Sequence, residues 1–399
     1  MMELPDQLFR GLQVLDLTRV MSGPFCTAMM ADLGAEIVKI EMPDFGEEGR
    51  HFAPYVNGES TYFALLNRGK KSVTINLKTP EGIAIIRDLS RTADVLVENF
   101  RPGVMERLGL GVTEMQADNP RLIYASISGF GQQGPYADWP AFDLVIQAMS
   151  GLMSVTGERG GRAGAVGESV ADVATGIFAA WGIAAALYDR ERTGKGRHLE
   201  VAMLDSVFSM LITSLSRRLY TSRPSGRVGN RHPETYPVDS FSTTNGDIVI
   251  VGFSDGIFRS ICRAIGQPEL AQDLRFLTND MRNANDQELR EIISRWAAHL
   301  TQNQALDAMR AQGVPAGPVW SIDDVLQSTH VAARGTVQPG VNSKLGAISH
   351  VPQPVRFSNS KIRSGLRSPT LGEQTDAVLR DKLGLDGAQI SALRSARII

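Results

Sequence analysis

The chain is poor in the features that mark several functional classes. It has only two cysteines, Cys26 and Cys262, in 399 residues. Two thiols so placed make neither a disulfide framework nor a CxxC metal or redox site. The expected compartment is the cytosol. The net charge of -2 gives no basic field for nucleic acid. The six histidines (51, 198, 232, 299, 330, 350) are scattered, without HExxH or paired spacing, so no metal is expected. No basic flank precedes an apolar core near the N-terminus, and no signal peptide is expected. The longest apolar stretch, 176–188, reads as too short to span a bilayer, so no membrane partner is expected. What remains, 43% hydrophobic and 21% charged, is the composition of an ordinary soluble protein. A length beyond one compact core predicts two domains.

The first third alternates strand and helix signals. Residues 12–17 read as a buried strand, 24–33 as a helix stopped by Gly34, and 36–41 as the next strand, which makes one βαβ unit. Further strands are expected at 72–77, 94–98 and 122–127, with a helix opened by Thr79-Pro80-Glu81. Strands separated by helices predict a parallel α/β sheet. The middle differs. Residues 240–251 read as a β-hairpin around Asn245-Gly246, with both turn residues at positive φ, and helical patterns follow at 256–265 and 288–311. This predicts a smaller α+β domain at roughly 225–320, reached through a polar linker at 217–237.

The segment Ser169-Val-Ala-Asp172 stands before a long apolar helix expected over 173–188. Asp172 there is either a helix N-cap or a carboxylate nucleophile held in a fixed direction. Asp143 begins another helix; it either caps that helix or, near Asp172, tunes its pKa or binds substrate. Gly129-Phe-Gly131-Gln-Gln-Gly134 fits GxGxxG after a strand, but Pro135 and Pro140 follow and no helix opens from it. NAD is therefore not expected, and the loop reads as one that lets backbone approach a ligand closely. Two basic turns, Asn67-Arg-Gly-Lys70-Lys71 and Asn99-Phe100-Arg101-Pro-Gly103, suit a phosphorylated cofactor.

Taken in order, these segments resemble the class III CoA-transferases, the CaiB/BaiF (carnitine dehydratase/bile-acid-inducible) superfamily, over nearly the whole length. The resemblance rests also on 14–20 with Ser22-Gly-Pro24, Ala31-Asp-Leu-Gly-Ala35 with Lys39-Ile-Glu41, 313–318 and Leu371-Gly-Glu373. It implies a Rossmann-like large domain built from both chain ends (1–215 and 325–399), a small central α+β domain with linkers (216–324), and an interlocked homodimer. It implies coenzyme A as the substrate carrier, Asp172 as nucleophile, and CoA lying near Lys70 and Lys71. Asn99, Phe100 and Arg107 match positions that contact CoA. The implied reaction passes through an aspartyl anhydride and an aspartyl-CoA thioester. Gly129, Gly131 and Gly134, with the loop 252–256, are candidates for a lid and for oxyanion donors.

The same superfamily contains α-methylacyl-CoA racemases, which use a His-Asp pair where this chain has Phe142-Asp143. Phe carries no proton, so transfer is the expected reaction. A CoA-binding protein without turnover would have no use for the carboxylate of Asp172. For the acids, the expectation is succinyl-CoA as donor and a small dicarboxylate as acceptor, whose second carboxylate would pair with Arg19, Arg50 or Arg68.

Overall fold

The computed structural model describes residues 7–342, 344–359 and 365–399. The chain divides into two compact units, Met1–Gly151 with Val166–Met210 and Thr329–Ile399, and Leu152–Ala165 with Leu211–Ser328. The segment 152–165, which the sequence pattern leaves in the larger unit, belongs to the smaller one.

The larger unit is built on six parallel strands: β1 (Gln13–Asp16), β2 (Glu36–Glu41), β3 (Lys70–Thr74), β4 (Val95–Glu98), β5 (Ile123–Ser128) and β6 (His198–Ala202). Their spatial order is β3-β2-β1-β4-β5-β6. The order reverses between β1 and β4, and a crevice opens there at the carboxyl ends of the strands.

Both faces of the sheet are covered, which is why its strands read as continuous apolar runs. Leu15, Val38, Val73 and Leu96 point to one face, where Val378, Leu379, Ile390 and the chain end Ile398-Ile399 pack on them. Val14, Ile37, Val95 and Ile123 point to the other, against helix α1 (Ser22–Asp32) and helix α4 (Val170–Thr193). Each buried Val, Ile or Leu contributes roughly 1.5–3 kcal/mol. Two more helices of this unit are α2 (Pro80–Ser90) and α3 (Asp143–Met149).

Helix α4 is longer than the sequence pattern suggests. Its 24 residues are, by length and composition alone, enough to cross a bilayer. Ala179, Ile183 and Ala186 nonetheless bury one face of it in the core beneath the sheet. Its contact with α1 is backbone-close, since a Cβ at Gly176 would lie 2.7 Å from the Ser22 carbonyl oxygen and 3.1 Å from the Phe25 ring. Only glycine permits that approach.

The smaller unit holds an antiparallel sheet, β7 (Val238–Thr243), β8 (Gly246–Val251) and β9 (Ala316–Pro318), in the order β9-β8-β7. Helices α5 (Asp255–Ala264), α6 (Asp286–Ala297) and α7 (Gln302–Ala311) cover it around Phe241, Ile250, Phe258 and Ile293. The hairpin turn is Thr244-Asn245. Of the Asn-Gly pair only Gly246 takes positive φ, at 143°, and it already pairs with Thr243 in the ladder, while the asparagine side chain accepts the Gln302 N–H that starts α7. Arg282 is fully buried and donates to the carbonyls of Tyr236 (2.8 Å) and Phe276 (3.0 Å) and to Asp255 (2.7 Å).

Candidate active site

Loops leaving β1, β4 and β5, together with the start of α4, enclose a cleft of about 530 Å³ at the switch point of the sheet. Asp172 lines it, with Arg19, Val20 and Ser22 on one side and Asn99, Phe100 and Arg101 on another. Gly129, Trp139 and Phe142 complete the wall. A more apolar cavity of about 280 Å³, walled by Leu17, Ile40 and Ile75, adjoins it and shares Arg19, Glu48 and Phe100.

Asp172 is not the cap of its helix. The N-cap is Ser169, whose side chain makes no capping bond, and Asp172 is the third helical residue. The capping role falls to Asp143 from α3. Its Oδ1 accepts the N–H groups of Ala171 (2.7 Å) and Asp172 (3.4 Å), and its Oδ2 accepts from Gln147 Nε2 (2.6 Å). Gln147 in turn accepts the Val166 N–H at 2.9 Å. With the first-turn donors taken by Asp143, the Asp172 carboxylate is left free to face the cleft.

Burial, and then the negative charge of Asp143, push the Asp172 carboxyl up to about 6; the Ser22 hydroxyl and N–H face it and pull the other way. A roughly two-unit rise is worth about 3 kcal/mol against ionisation. Tyr62 is a further neighbour. Burial and the charges of Asp172 and Glu47 hold its phenol un-ionised, so it can only donate to an anion. Its ring sits edge-on to Phe52, a lining residue, at 5.5 Å.

The loop between β1 and α1 is held unusually firmly. Asn99 accepts the Arg19 N–H and donates to the Arg19 carbonyl, both at 2.8 Å. This clasp closes the switch point. The Arg19 guanidinium pairs with Glu48 at 2.7 Å and lies 4.7 Å above the Phe100 ring. Val20 sits at φ 67°, a left-handed conformation that costs a β-branched residue roughly 1–2 kcal/mol.

Several residues singled out from sequence have other roles. Lys70 is fully buried, and its three donors go to Asp16 Oδ2, the Pro24 carbonyl and Asn67 Oδ1, all at 2.9 Å. None remains for a cofactor phosphate. Lys71, also at the opening of β3 away from the crevice, pairs with Glu36 at 3.0 Å. Arg50 grips Glu41 with two bonds (2.6 and 2.7 Å), and Arg68 grips Asp32 likewise (2.9 and 2.7 Å), so neither is available to a substrate carboxylate. Arg107 lies exposed at the end of the turn Val104–Arg107 and does not line the cleft. Gly129 does line it, and packs against Ala141, while Gly131 and Gly134 take positive φ in the turn that follows β5. No helix opens from these glycines, the next being α3 at Asp143. The segment 252–256 belongs to the smaller unit, where the Gly252 N–H is bonded to the Pro237 carbonyl and Ser254 caps α5. It is pinned rather than free as a glycine flap would be. Among the described residues no His, Cys, Asp or Glu cluster could hold a metal ion.

Comparison with known proteins decides the family. The profile of CoA-transferase family III matches residues 9–375. The chain belongs to CoA-transferase family III. An acetyl-CoA:oxalate CoA-transferase of Acetobacter aceti is 42% identical over 381 residues, covering 94% of this chain and 96% of that one. A succinate–glutarate CoA-transferase of Agrobacterium fabrum is 38% identical, covering 93% and 94%. A solved CaiB/BaiF family protein from Brucella suis superposes with a TM-score of 0.84 at 34% identity, over 94% of this chain and 100% of that one. The family III fold, with its large parallel sheet, is the architecture described above, and the enzyme is a CoA-transferase.

Proposed function

We propose that this family III transferase moves CoA from succinyl-CoA to a small dicarboxylic acid, with Asp172 as the covalent carrier. One observation carries the reading: a carboxylate freed from capping, raised to about 6 and open to the cleft at the switch point. Asp172 attacks the thioester carbonyl, the C–S bond breaks, and CoA leaves as thiolate from a mixed anhydride. The thiolate then attacks the aspartyl carbonyl and releases the donor acid, leaving aspartyl-CoA. The acceptor carboxylate repeats both steps in reverse. Thioester is exchanged for thioester, so no nucleotide hydrolysis is needed.

The adjoining apolar cavity suits the flat base of CoA, with Phe100 between base and reaction centre. Arg19 and Arg101 are the cationic side chains lining the cleft, and they support a second carboxylate on the acceptor. Oxalate and glutarate in the names of relatives agree with a dicarboxylate. Phe142 lines the cleft beside Asp143 and supports transfer over racemisation, since no second base stands there.

A homodimer belongs to the same proposal. The outer face of α4 leaves Trp181 and Tyr188 each 70% exposed, with Ile177 and Phe178 beside them. Such a contiguous apolar face suits cover by a second copy. Cytosolic residence is supported by two free, buried thiols.

The test is mass spectrometry of CoA species after mixing the protein with succinyl-CoA and a panel of carboxylic acids, with Asp172→Ala as control. A new acyl-CoA made only by wild type names the acceptor. If no acid gains CoA while a 2-methylacyl-CoA takes up deuterium from D₂O, the enzyme is a racemase.

A further inference from the structure

Between β1 and α1 the chain runs through three residues whose backbone is bound by side chains from elsewhere. The Thr18 N–H is accepted by Asp16 (2.9 Å), and the Thr18 carbonyl accepts from Lys39 Nζ (2.8 Å). Both polar groups of Arg19 are held by Asn99. The Val20 N–H is accepted by Glu47 Oε2 at 3.0 Å. These bonds hold Val20 at positive φ immediately before Met21 and Ser22, where α1 begins facing Asp172. Gly23 leaves no slack, as a Cβ there would lie 2.3 Å from Thr18.

Glu47, a member of this set, does not line the Asp172 cleft. It is 2% exposed and borders only the adjoining apolar cavity, where its buried carboxylate faces inward to Val20 and Lys39. The oxygen that holds Val20 also accepts the Gly49 N–H at 2.7 Å. Its other oxygen has no hydrogen-bond partner and stands 3.6 Å from Lys39 Nζ. A buried carboxylate is retained at a cost unless its bonds serve something. Here the bond it makes across 27 residues is to the one strained residue of the cleft wall.

We propose that Glu47 is a positioning residue for transfer: by latching Val20 in the left-handed conformation it aims the first turn of α1 at Asp172. Without the latch Val20 relaxes toward negative φ, and the N–H and hydroxyl of Ser22 swing away from the carboxylate. The inference rests on Asp172 being the nucleophile.

Four proteins separate the alternatives: wild type, Glu47→Ala, Glu47→Gln, and Glu47→Ala combined with Val20→Gly. The readout is the rate at which acyl-CoA labels the Asp172 peptide, followed by quenched mass spectrometry. Glu47→Ala is expected to slow labelling about 10- to 100-fold, or roughly 1.4–2.7 kcal/mol. Glu47→Gln keeps an acceptor for the Val20 N–H and is expected to stay within about threefold of wild type. Val20→Gly in the alanine background is expected to recover about half or more of the logarithmic loss, because glycine adopts positive φ without steric cost. A purely structural ion pair with Lys39 predicts the reverse pattern, with Glu47→Gln as slow as Glu47→Ala and no rescue by glycine. That pattern, or labelling at full rate in Glu47→Ala, overturns the proposal. If Glu47→Ala does not fold, the glutamine variant alone decides between bond and charge. Absence of any label on wild-type Asp172 would instead overturn the nucleophile assignment, and with it the step Glu47 serves.

Discussion

The Asp143 carboxylate stands where it both caps α4 and repels Asp172, and replacing it with asparagine separates these roles. Asp172 is raised from 3.8 to about 6, first by burial and second by Asp143. If Asp172 must be ionised to attack, wild-type kcat/KM falls with unit slope below about pH 6. It loses roughly tenfold between pH 7 and pH 5. In Asp143→Asn the carboxamide oxygen can still accept the Ala171 N–H, so the helix keeps its cap. The charge is gone but the burial stays. Because burial is the larger cause, the acid limb moves down only part of the way, to between about pH 5 and pH 6. Initial rates of CoA transfer from pH 4.5 to 8, at saturating and sub-saturating acyl-CoA, give both limbs. A wild-type limb near pH 4, or one that Asp143→Asn leaves unmoved, would refute the electrostatic account of the site.

Asp172→Asn should stabilise the protein while abolishing transfer. A carboxyl raised in the folded state supports stability below its unfolded value of 3.8 and loses that support as pH rises through about 6, so the variant gains up to about 3 kcal/mol at pH 8 and nothing at pH 3.5, as read by denaturant titration. Gly176→Ala places a methyl 2.7 Å from the Ser22 carbonyl and must part α1 from α4, with a cost of about 1–3 kcal/mol and at least a tenfold fall in kcat; wild-type turnover would show that the helix crossing does not set the site. Arg282→Met removes the buried donors to the Tyr236 and Phe276 carbonyls and should destabilise the smaller unit by about 3 kcal/mol or more, seen as an earlier melting step in calorimetry.

The first five strands of the sheet are legible in the sequence because burial on both faces makes them apolar runs bounded by turn residues. The sixth is not. His198-Leu-Glu-Val-Ala202 alternates exposed and half-buried positions at the edge of the sheet, and its polar residues hide it. At the site, the Asp172 segment, Asn99 and Phe100 are visible because they follow a strand or start a helix, where ligands bind. Lys70 and Arg68 mislead for one reason. Their neutralising partners, Asp16 and Asp32, lie 54 and 36 residues away, and a turn rich in Lys and Arg looks the same whether or not its charges are spoken for. The cap on α4 comes from Asp143, 28 residues earlier, so the local rule assigns it to the nearest acid. Tyr62 and Glu47 sit in no motif. Only the folding of 47–62 against β1 and α1 brings Tyr62 near Asp172 and Glu47 to the Val20 N–H.

The high pKa of Asp172 bears on rate as well as on pH range. A carboxylate at about 6 is a stronger base than an ordinary aspartate, yet remains about nine-tenths ionised at pH 7. The free energy that resists its ionisation, about 3 kcal/mol, comes from burial and from Asp143. In the proposed reaction the first step turns Asp172 into a neutral anhydride, so that opposition is relieved as the C–O bond forms. Relief of this size would contribute up to about 100-fold to acylation. The helix N-terminus would work against this by favouring the anion, but its free N–H groups are already taken by Asp143. One residue therefore both withdraws stabilisation from the nucleophile and adds repulsion to it. It follows that Asp143→Asn should lower the pH-independent plateau of kcat/KM, by about threefold to tenfold, while it extends activity to lower pH. The two effects run in opposite directions and are read from one titration. A plateau that rises together with a lower acid limb would mean that the charge of Asp143 raises the pKa of Asp172 without speeding the attack.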